Sequence, residues 1–258
     1  MSRFQLRGLA GDTAPESLFG GNILAPRTSM TGEGSYDALI RDLGVTDLRY
    51  PGGTLTEEYF DLATPDAPRA THVDTGETID FIPLSDFIAN AQVHGAAVTL
   101  VLPTRTQLSD TLDANGDRLP AIDEATLRGF VSDVVSGRYG EVEVAGFEIG
   151  NEYWASGQMT SAEYGRLAAE MARIVSDTLD GLPVPGAAEV DVLVQMGTNF
   201  GSAGLDNRYD GLDGDVVLED LNARYGLDLG DEVLRRSGAV DWAEVSNRIV
   251  MRAFEDTG

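Results

Sequence analysis

Short apolar segments alternate with longer amphipathic segments along most of the chain. Each short segment is flanked by turn residues, which is typical of a buried strand in a parallel sheet. In the longer segments apolar residues recur every three or four positions, which predicts helices. This alternation indicates an α/β fold in which helices connect parallel strands. The predicted strands are Phe19–Leu24, Val45–Tyr50, Ala97–Leu102, Val144–Ile149 and Val190–Met196.

The helical stripes fall between these strands and after the last of them. The clearest helix starts at Thr160, because Thr160 and Glu163 fit a capping box. The last helix has Trp242 and Phe254 on one apolar face and is predicted to precede a sixth strand. The predicted helices cover residues 36–43, 84–91, 124–136, 160–175 and 241–255.

The spacing of the strands gives the number of strand–helix units. Four of them begin near residues 45, 97, 144 and 190, so one strand–helix unit takes about 45 to 52 residues. Eight such units would need about 360 residues, whereas a compact (β/α)8 barrel needs about 250. A (β/α)8 TIM-barrel type fold, the fold class we expect, would therefore be incomplete as given, with about five units. Residues 1–258 are predicted to form a single partial barrel domain, either a fragment or a chain that a partner completes.

The amino-acid composition excludes several classes of partner and of reaction. The chain has 43 acidic and 18 basic residues and a formal charge of −25, which opposes binding to nucleic acid and to anionic membranes. All the basic residues are Arg and Cys is absent, which excludes amine and thiol chemistry. The imidazoles of His72 and His94 are expected to be structural. We also expect a soluble protein without an N-terminal signal peptide, without cofactor or metal, whose chemistry rests on carboxylates.

Two predicted strand ends carry unusual residues. In a parallel barrel, reacting groups sit at the carboxyl ends of the strands, where the loops form the open face. The second strand runs into Arg-Tyr-Pro-Gly-Gly at residues 49–53, and the fourth runs into Gly-Asn-Glu at residues 150–152. Together, in this order, the motifs resemble those of the clan A glycoside hydrolases, in the branch of the α-L-arabinofuranosidases, β-xylosidases and heparanase-like β-glucuronidases. The resemblance covers about residues 18–200.

The resemblance implies roles for three residues. Glu152 matches the catalytic acid/base, which protonates the leaving oxygen and later activates water. Asn151 matches the asparagine that hydrogen-bonds the sugar hydroxyl next to the anomeric carbon. Arg49 matches an arginine inside the barrel that keeps the nucleophilic carboxylate ionised. The family's nucleophile is a second Glu on strand seven, so here it would lie beyond the C-terminus and the chain alone would be inactive.

Other residues near these strand ends are weaker candidates. Glu57, Glu58 and Asp61 follow strand two, but nothing in the sequence places them opposite Glu152 as a substitute nucleophile. Glu148 has the strand parity to pair with Arg49. The remaining candidate sugar contacts are Tyr50, Tyr153, Trp154, Gln195 and Asn199.

Two acidic loops raise the question of calcium. Residues 113–117 with Glu124 approach an EF-hand spacing, but Arg118 occupies the position that needs Gly. Asp210, Asp213 and Asp215 form a second cluster. A solvated turn is the better interpretation of both loops.

The sequence thus predicts a retaining glycoside hydrolase that cleaves O-glycosidic bonds of plant or algal polysaccharides or oligosaccharides, with arabinofuranosidase-like specificity as the first choice. Its partner is a carbohydrate substrate. The alternatives are a sugar-binding barrel module without hydrolysis and a calcium-binding secreted protein that carries this domain.

Overall fold

A computed structural model describes residues 20–24, 36–197 and 205–257. The strands of this part of the chain are β1 (Gly20–Asn22), β2 (Asp47–Tyr50), β3 (Arg69–Thr71), β4 (Thr78–Asp80), β5 (Ala97–Leu102), β6 (Leu108–Leu112), β7 (Arg118–Pro120), β8 (Val144–Ile149) and β9 (Asp191–Val194). Its α-helices are α1 (Tyr36–Leu43), α2 (Leu55–Tyr59), α3 (Leu84–His94), α4 (Glu124–Val135), α5 (Ser161–Gly181), α6 (Asp206–Tyr209), α7 (Gly214–Tyr225) and α8 (Trp242–Thr257).

Five strands form one parallel sheet in the order β1-β2-β5-β8-β9, so strands that succeed each other in the units are neighbours in space. Helical crossovers connect them, and α1 contacts α3, α4 contacts α5, and α5 contacts α8. This is the strand–helix order of a (β/α) barrel, with five of the eight parallel strands that a complete barrel has. The predicted fold class is confirmed, and each of the five predicted strands is present.

The two faces of the sheet differ in character. Along β2 the residues alternate between half-buried and buried, with Leu48 and Tyr50 in the main apolar core. Along β8, Phe147 and Ile149 take the same side. Because neighbouring strand residues point to opposite faces, Arg49 and Glu148 lie on the other, concave side. The helices therefore cover the convex face, and the polar residues line the interior of the barrel.

Loops at the carboxyl ends of two strands contain short elements that the periodicity did not predict. The β2 loop carries α2 and the hairpin β3–β4, and the β5 loop carries the hairpin β6–β7. These insertions enlarge the rim around the mouth of the sheet, where a parallel barrel has its reactive face.

A second, smaller apolar cluster follows β9. It comprises α6, α7 and α8, with Val217, Leu221 and Ile249 among its buried side chains. Helix α8 packs against α5, as expected for the helix of the fifth unit. Within residues 20–24, 36–197 and 205–257, no helix has the combination of length and apolar composition that a membrane crossing requires.

Candidate active site

An ion pair between Arg49 and Glu148 lies at the centre of the mouth. Arg49 Nε donates to Glu148 Oε2 at 2.5 Å and Nη2 donates to Oε1 at 3.0 Å, so the contact is bidentate. Both side chains are mostly buried. The pair spans β5, since Arg49 is on β2, Glu148 is on β8 and β5 lies between them. The pairing expected from strand parity is therefore present.

Amide side chains from both edges of the sheet extend this cluster. Asn22 Oδ1 accepts from Arg49 Nη1 at 3.2 Å, and Gln195 Nε2 donates to Glu148 Oε1 at 2.7 Å. Gln195 Oε1 is buried without a partner in the described part of the chain. Because Gln195 follows β9 and Asn22 ends β1, the cluster draws on four of the five strands.

Asn151 is held in the same cluster. Its Oδ1 accepts from Arg49 Nη2 at 3.1 Å, and its side chain is buried. With the oxygen fixed by a guanidinium, the amide must present its Nδ2–H groups elsewhere, and one of them faces Ser156 Oγ at 3.4 Å. The geometry thus orients Asn151 as a donor, which is the role its motif implies.

Glu152 projects from the rim beside this cluster. It has a φ of 47°, a left-handed conformation that L-residues seldom adopt, and its side chain is exposed. Among the described residues its carboxylate has no hydrogen-bond or ion-pair partner. The backbone turn fixes this position, because the Glu152 carbonyl accepts from Ala155 N at 2.8 Å and Gly157 N at 3.3 Å. An uncommitted carboxylate on a constrained turn is suited to proton transfer to a ligand at the mouth.

Several contacts brace the turn that carries Glu152. Ser156 Oγ donates to the Asn151 carbonyl at 2.6 Å, and Arg105 Nη1 donates to the Ser156 carbonyl at 3.3 Å. Arg118, from the hairpin β6–β7, donates to the Gln158 carbonyl at 2.5 Å. Gly157 is required by close approach, since a Cβ there would lie 2.7 Å from Tyr153 Cα. The turn is thus fixed by its own Ser156 and by two arginines of the β5 loop.

Glu57 joins the ends of β5 and β8 from below the turn. Its buried carboxylate accepts from Thr104 N, Thr104 Oγ1, Arg105 N and Asn151 N at 2.7–3.0 Å. Burial raises the pKa of this carboxyl, and the hydrogen bonds from Thr104, Asn151 and Arg105 act in the opposite direction. Both oxygens are occupied, so Glu57 is not placed to attack a sugar.

Tyr50 and Tyr153 lie in the core, which corrects the expectation that they contact sugar. The Tyr50 ring is fully buried and stacks on Phe87, and its hydroxyl donates to the Ile82 carbonyl. The Tyr153 ring is fully buried and stacks on Tyr164 with centroids 4.2 Å apart. Neither ring has a face that a ligand could reach.

The other candidate contacts have different positions. Trp154 is half-buried and meets Tyr153 edge to face, with ring centroids 4.9 Å apart. A role for Trp154 in sugar stacking stays a prediction, as does that of Gln195 in the central cluster. Asn199 lies outside the described residues.

The imidazoles of His72 and His94 lie in structural contacts. His94 Nε2 is 2.6 Å from Asp37 Oδ1, between α3 and α1. His72 Nδ1 accepts from Asp74 N within the hairpin β3–β4. Neither His belongs to the central cluster.

The first acidic loop is a turn, as predicted, but its carboxylates are paired and not solvated. Residues 113–117 connect β6 to β7, and Asp113 accepts from Arg166 at 2.7 Å. Asp117 is fully buried and accepts from Arg208, Tyr225 and Thr160 at 2.9–3.1 Å. The carboxylates therefore fasten the hairpin to α5 and to the helices after β9. Of the second cluster, Asp213 precedes α7 and Asp215 lies in its first turn.

Four contributors to the site were missed or assigned another role. Asn22 stands at the end of the first strand, where the strand-end rule that selected Arg49 would also have selected it. Ser156 bonds a carbonyl of its own turn, and Arg105 and Glu57 bond backbone groups of other loops. The sequence carries no signal for such contacts.

Comparison with known proteins finds that part of the chain is similar to one group of enzymes. No protein-family model matches the chain. It is 32% identical over 165 residues to an intracellular exo-α-(1→5)-L-arabinofuranosidase from Streptomyces lividans, a match of 52% of this chain and 22% of that protein. The chain is related to the arabinofuranosidases. This relationship confirms the resemblance drawn from the two motifs.

Solved arabinofuranosidase structures overlap the chain in part. A family 51 α-L-arabinofuranosidase from Bifidobacterium longum superposes with a TM-score of 0.49 at 20% identity, over 77% of this chain and 42% of that one. An α-L-arabinofuranosidase from Thermotoga maritima gives a TM-score of 0.46 at 16% identity, over 80% and 48%. The chain spans less than a quarter of the curated arabinofuranosidase's length and about half of these structures.

Proposed function

We propose that this chain is part of the catalytic barrel of a retaining glycoside hydrolase that acts, like an α-L-arabinofuranosidase, on plant or algal polysaccharides and oligosaccharides. One observation carries the proposal. At the mouth of the sheet, the exposed carboxylate of Glu152, which has no partner in the described part of the chain, stands directly after Asn151, whose amide Arg49 orients as a donor. The sequence relationship to an arabinofuranosidase supports it.

In the first step, the Glu152 carboxylic acid gives its proton to the leaving oxygen while the bond from that oxygen to the anomeric carbon breaks. A second carboxylate forms the new bond to the anomeric carbon. In the second step, Glu152, now a carboxylate, takes a proton from water as the water oxygen displaces the second carboxylate. Asn151 donates to the neighbouring sugar hydroxyl, and this hydrogen bond strengthens as positive charge develops in the ring.

We assign the second carboxylate to a further unit of the barrel, as the motif resemblance implies. Glu148 is bound by Arg49 and Gln195, and Glu57 is buried with both oxygens occupied. In a retaining enzyme the two reacting carboxyl groups lie about 5 Å apart. The 258-residue chain by itself is accordingly expected to bind a glycoside without hydrolysing it.

The test uses the complete product of the gene and a panel of aryl glycosides that includes 4-nitrophenyl α-L-arabinofuranoside. For glycosides with poor leaving groups, Glu152→Gln should lower kcat/KM about 10³-fold, because it removes the transferable proton. The matched control is Glu143→Gln. Glu143 is an exposed Glu that precedes β8, at the opposite end of the strand, and its substitution should leave kcat/KM unchanged.

Azide, a nucleophile that needs no general base, then separates acid/base catalysis by Glu152 from other roles of this residue. Azide should restore turnover to Glu152→Ala and give a glycosyl azide of retained configuration, because it attacks the anomeric carbon without losing a proton. Sugar binding without turnover by the complete gene product would instead favour a non-hydrolytic module. Full turnover by Glu152→Gln, or by the 258-residue chain alone, would contradict the proposal.

A further inference from the structure

The carboxylate of Glu57 occupies an unusual position for an ionisable group. The side chain is 1% exposed, and among the described residues its hydrogen-bond donors are backbone N–H groups and one hydroxyl, with no guanidinium. Four donors from the ends of two strands surround it instead. Burying a carboxylate is costly unless its oxygens are hydrogen-bonded, and these four hydrogen bonds offset that cost. The same hydrogen bonds hold the two strand ends that carry the donors.

The chain brings Glu57 to this point by a tight turn. After β2, Gly53 has a φ of 66°, and Thr56 Oγ1 donates to the Pro51 carbonyl at 2.6 Å, which sets the start of α2. Glu57 lies in the first turn of α2 and is directed under the neighbouring strand ends. The Arg-Tyr-Pro-Gly-Gly motif thus places Arg49 at the mouth, and the helix α2 that follows it places Glu57 under the neighbouring strand ends.

The strand ends that Glu57 joins are already close together. Gly150 N donates to the Leu102 carbonyl at 2.8 Å, and a Cβ on Gly150, whose φ is 76°, would lie 3.1 Å from the Thr104 side chain. Beyond this point the backbone leaves the sheet, so the Asn151 N–H has lost its strand partner. The Glu57 Oε1 atom accepts that N–H at 2.7 Å.

We propose that Glu57 is a positioning residue for the acid/base of the proposed glycosidase. It fixes the Gly150–Asn151 peptide and thereby sets where the Asn151 amide and the Glu152 carboxyl point. The inference rests on the proposed function, because Glu152 must be the acid for its placement to matter. A misplacement of about 1 Å at a reacting group lowers a rate about 100-fold.

The pattern of donors makes Glu57→Gln a selective variant. Oε2 accepts two backbone N–H groups, from Thr104 and Arg105, so an amide NH2 cannot take its place. Oε1 accepts one backbone N–H, from Asn151, and one hydroxyl, which can turn to become an acceptor. The glutamine will therefore place its NH2 at the Oε1 position, and the hydrogen bond that is lost is the one to Asn151.

The first measurement follows the amides of the 258-residue chain by NMR. In Glu57→Gln the Asn151 amide proton should move upfield and exchange faster, while the Thr104 and Arg105 amides change less. The control is Glu58→Gln. Glu58 is the next residue on the same helix, and its carboxylate lies 3.8 Å from Arg105 and 3.9 Å from His72 without bonding a strand end. An unchanged Asn151 amide in Glu57→Gln would overturn the inference.

The second measurement uses aryl glycosides of graded leaving-group pKa with the complete gene product. Glu57→Gln should lower kcat/KM about 10- to 100-fold for poor leaving groups, which need the proton most, and much less for good ones. A purely structural role would lower both rates by one common factor, the folded fraction. Equal losses for all leaving groups would therefore overturn the inference.

Glu57→Asp provides a second variant in case Glu57→Gln does not fold. It keeps the charge but withdraws both oxygens by about one bond length, so it should show the same leaving-group dependence with a smaller loss. Wild-type protein that hydrolyses no glycoside would refute the proposed function and the catalytic part of this inference. The Asn151 amide would then still decide whether Glu57 holds that peptide.

Discussion

The guanidinium of Arg49 and the carboxylate of Glu148 form a bidentate ion pair that spans an intervening strand. The side chains are 23% and 15% exposed, so neither charge is fully solvated. The same guanidinium also binds the amide oxygen of Asn151. One contact thus stabilises the sheet and orients the residue that precedes the proposed acid.

Removing Arg49 should therefore destabilise the chain. Arg49→Met keeps much of the volume but leaves Glu148 partly buried without its counter-charge, and we expect a loss of about 2–3 kcal/mol in the free energy of unfolding by urea. Arg69→Met is the control, since Arg69 and Asp80 form an exposed pair and the loss should stay below about 1 kcal/mol. Equal losses in both variants would contradict the prediction.

The left-handed backbone at Glu152 predicts that replacing this residue by glycine stabilises the fold. Glu152→Gly should raise the free energy of unfolding by about 0.5–1 kcal/mol, because glycine adopts positive φ without the steric cost of a Cβ. Gln158, with a φ of 53°, is the matched position. Gln158→Gly should give a similar gain and, unlike Glu152→Gly, retain turnover in the complete gene product. A loss of stability in both variants would argue against strain at these residues.

Glu163 should make stability depend on pH in the acid range. Burial on its own raises the pKa of this carboxyl, but hydrogen bonds from Arg118 and Thr160 and the charge of Arg118 outweigh it and hold the pKa below its usual value. A lowered pKa in the folded state stabilises the chain above the unfolded-state pKa of about 4.3, and this contribution is lost as the pH falls through the folded-state pKa.

Urea unfolding at several pH values checks this expectation. The difference in stability between wild type and Glu163→Gln should be largest near pH 7 and shrink steadily below about pH 4. Both proteins share every other titrating group, so the difference isolates Glu163. A difference that stayed constant down to about pH 3 would show that the carboxyl contributes by packing alone.

The buried carboxylate of Asp117 should stabilise the helices that follow β9. Asp117→Asn weakens its contacts with Arg208 and Tyr225, which tie this segment to the hairpin β6–β7. We expect faster amide hydrogen exchange in α7, by about tenfold or more, with α4 unchanged as an internal reference. Unaltered exchange in α7 would mean that apolar packing alone holds it.

Strand periodicity predicted much of the fold, for reasons that particular residues make clear. The bounds of Ala97–Leu102 and Val144–Ile149 were predicted correctly, because both are mostly apolar runs that end at a turn residue, Pro103 and Gly150. β2 and β9 are shorter than predicted and β1 ends two residues earlier than predicted, because the apolar runs continue past the paired residues of the sheet. The hairpins of the rim were missed because segments of three to five mostly polar residues carry no periodic signal.

The same reasoning explains which site residues were placed well. Arg49, Asn151 and Glu148 follow from strand ends and parity, and they do meet. Parity also implies that Tyr50, as the neighbour of Arg49, points into the core, and applying it would have avoided that error. Tyr153 lies past the end of its strand, where the left-handed turn at Glu152 decides its direction. No local sequence pattern predicts a left-handed turn at a glutamate.

The amide side chains at the two borders of the sheet have a mechanical consequence. Asn22 bonds Arg49 and Gln195 bonds Glu148, so one continuous chain of hydrogen bonds crosses the whole concave surface. In a flat five-stranded sheet the outer strands would lie about 19 Å apart, at about 4.8 Å per step. Side chains that converge on one central pair shorten that span and hold the sheet bent. The polar residues of the mouth therefore act as a brace that sets the curvature against which a ligand must fit.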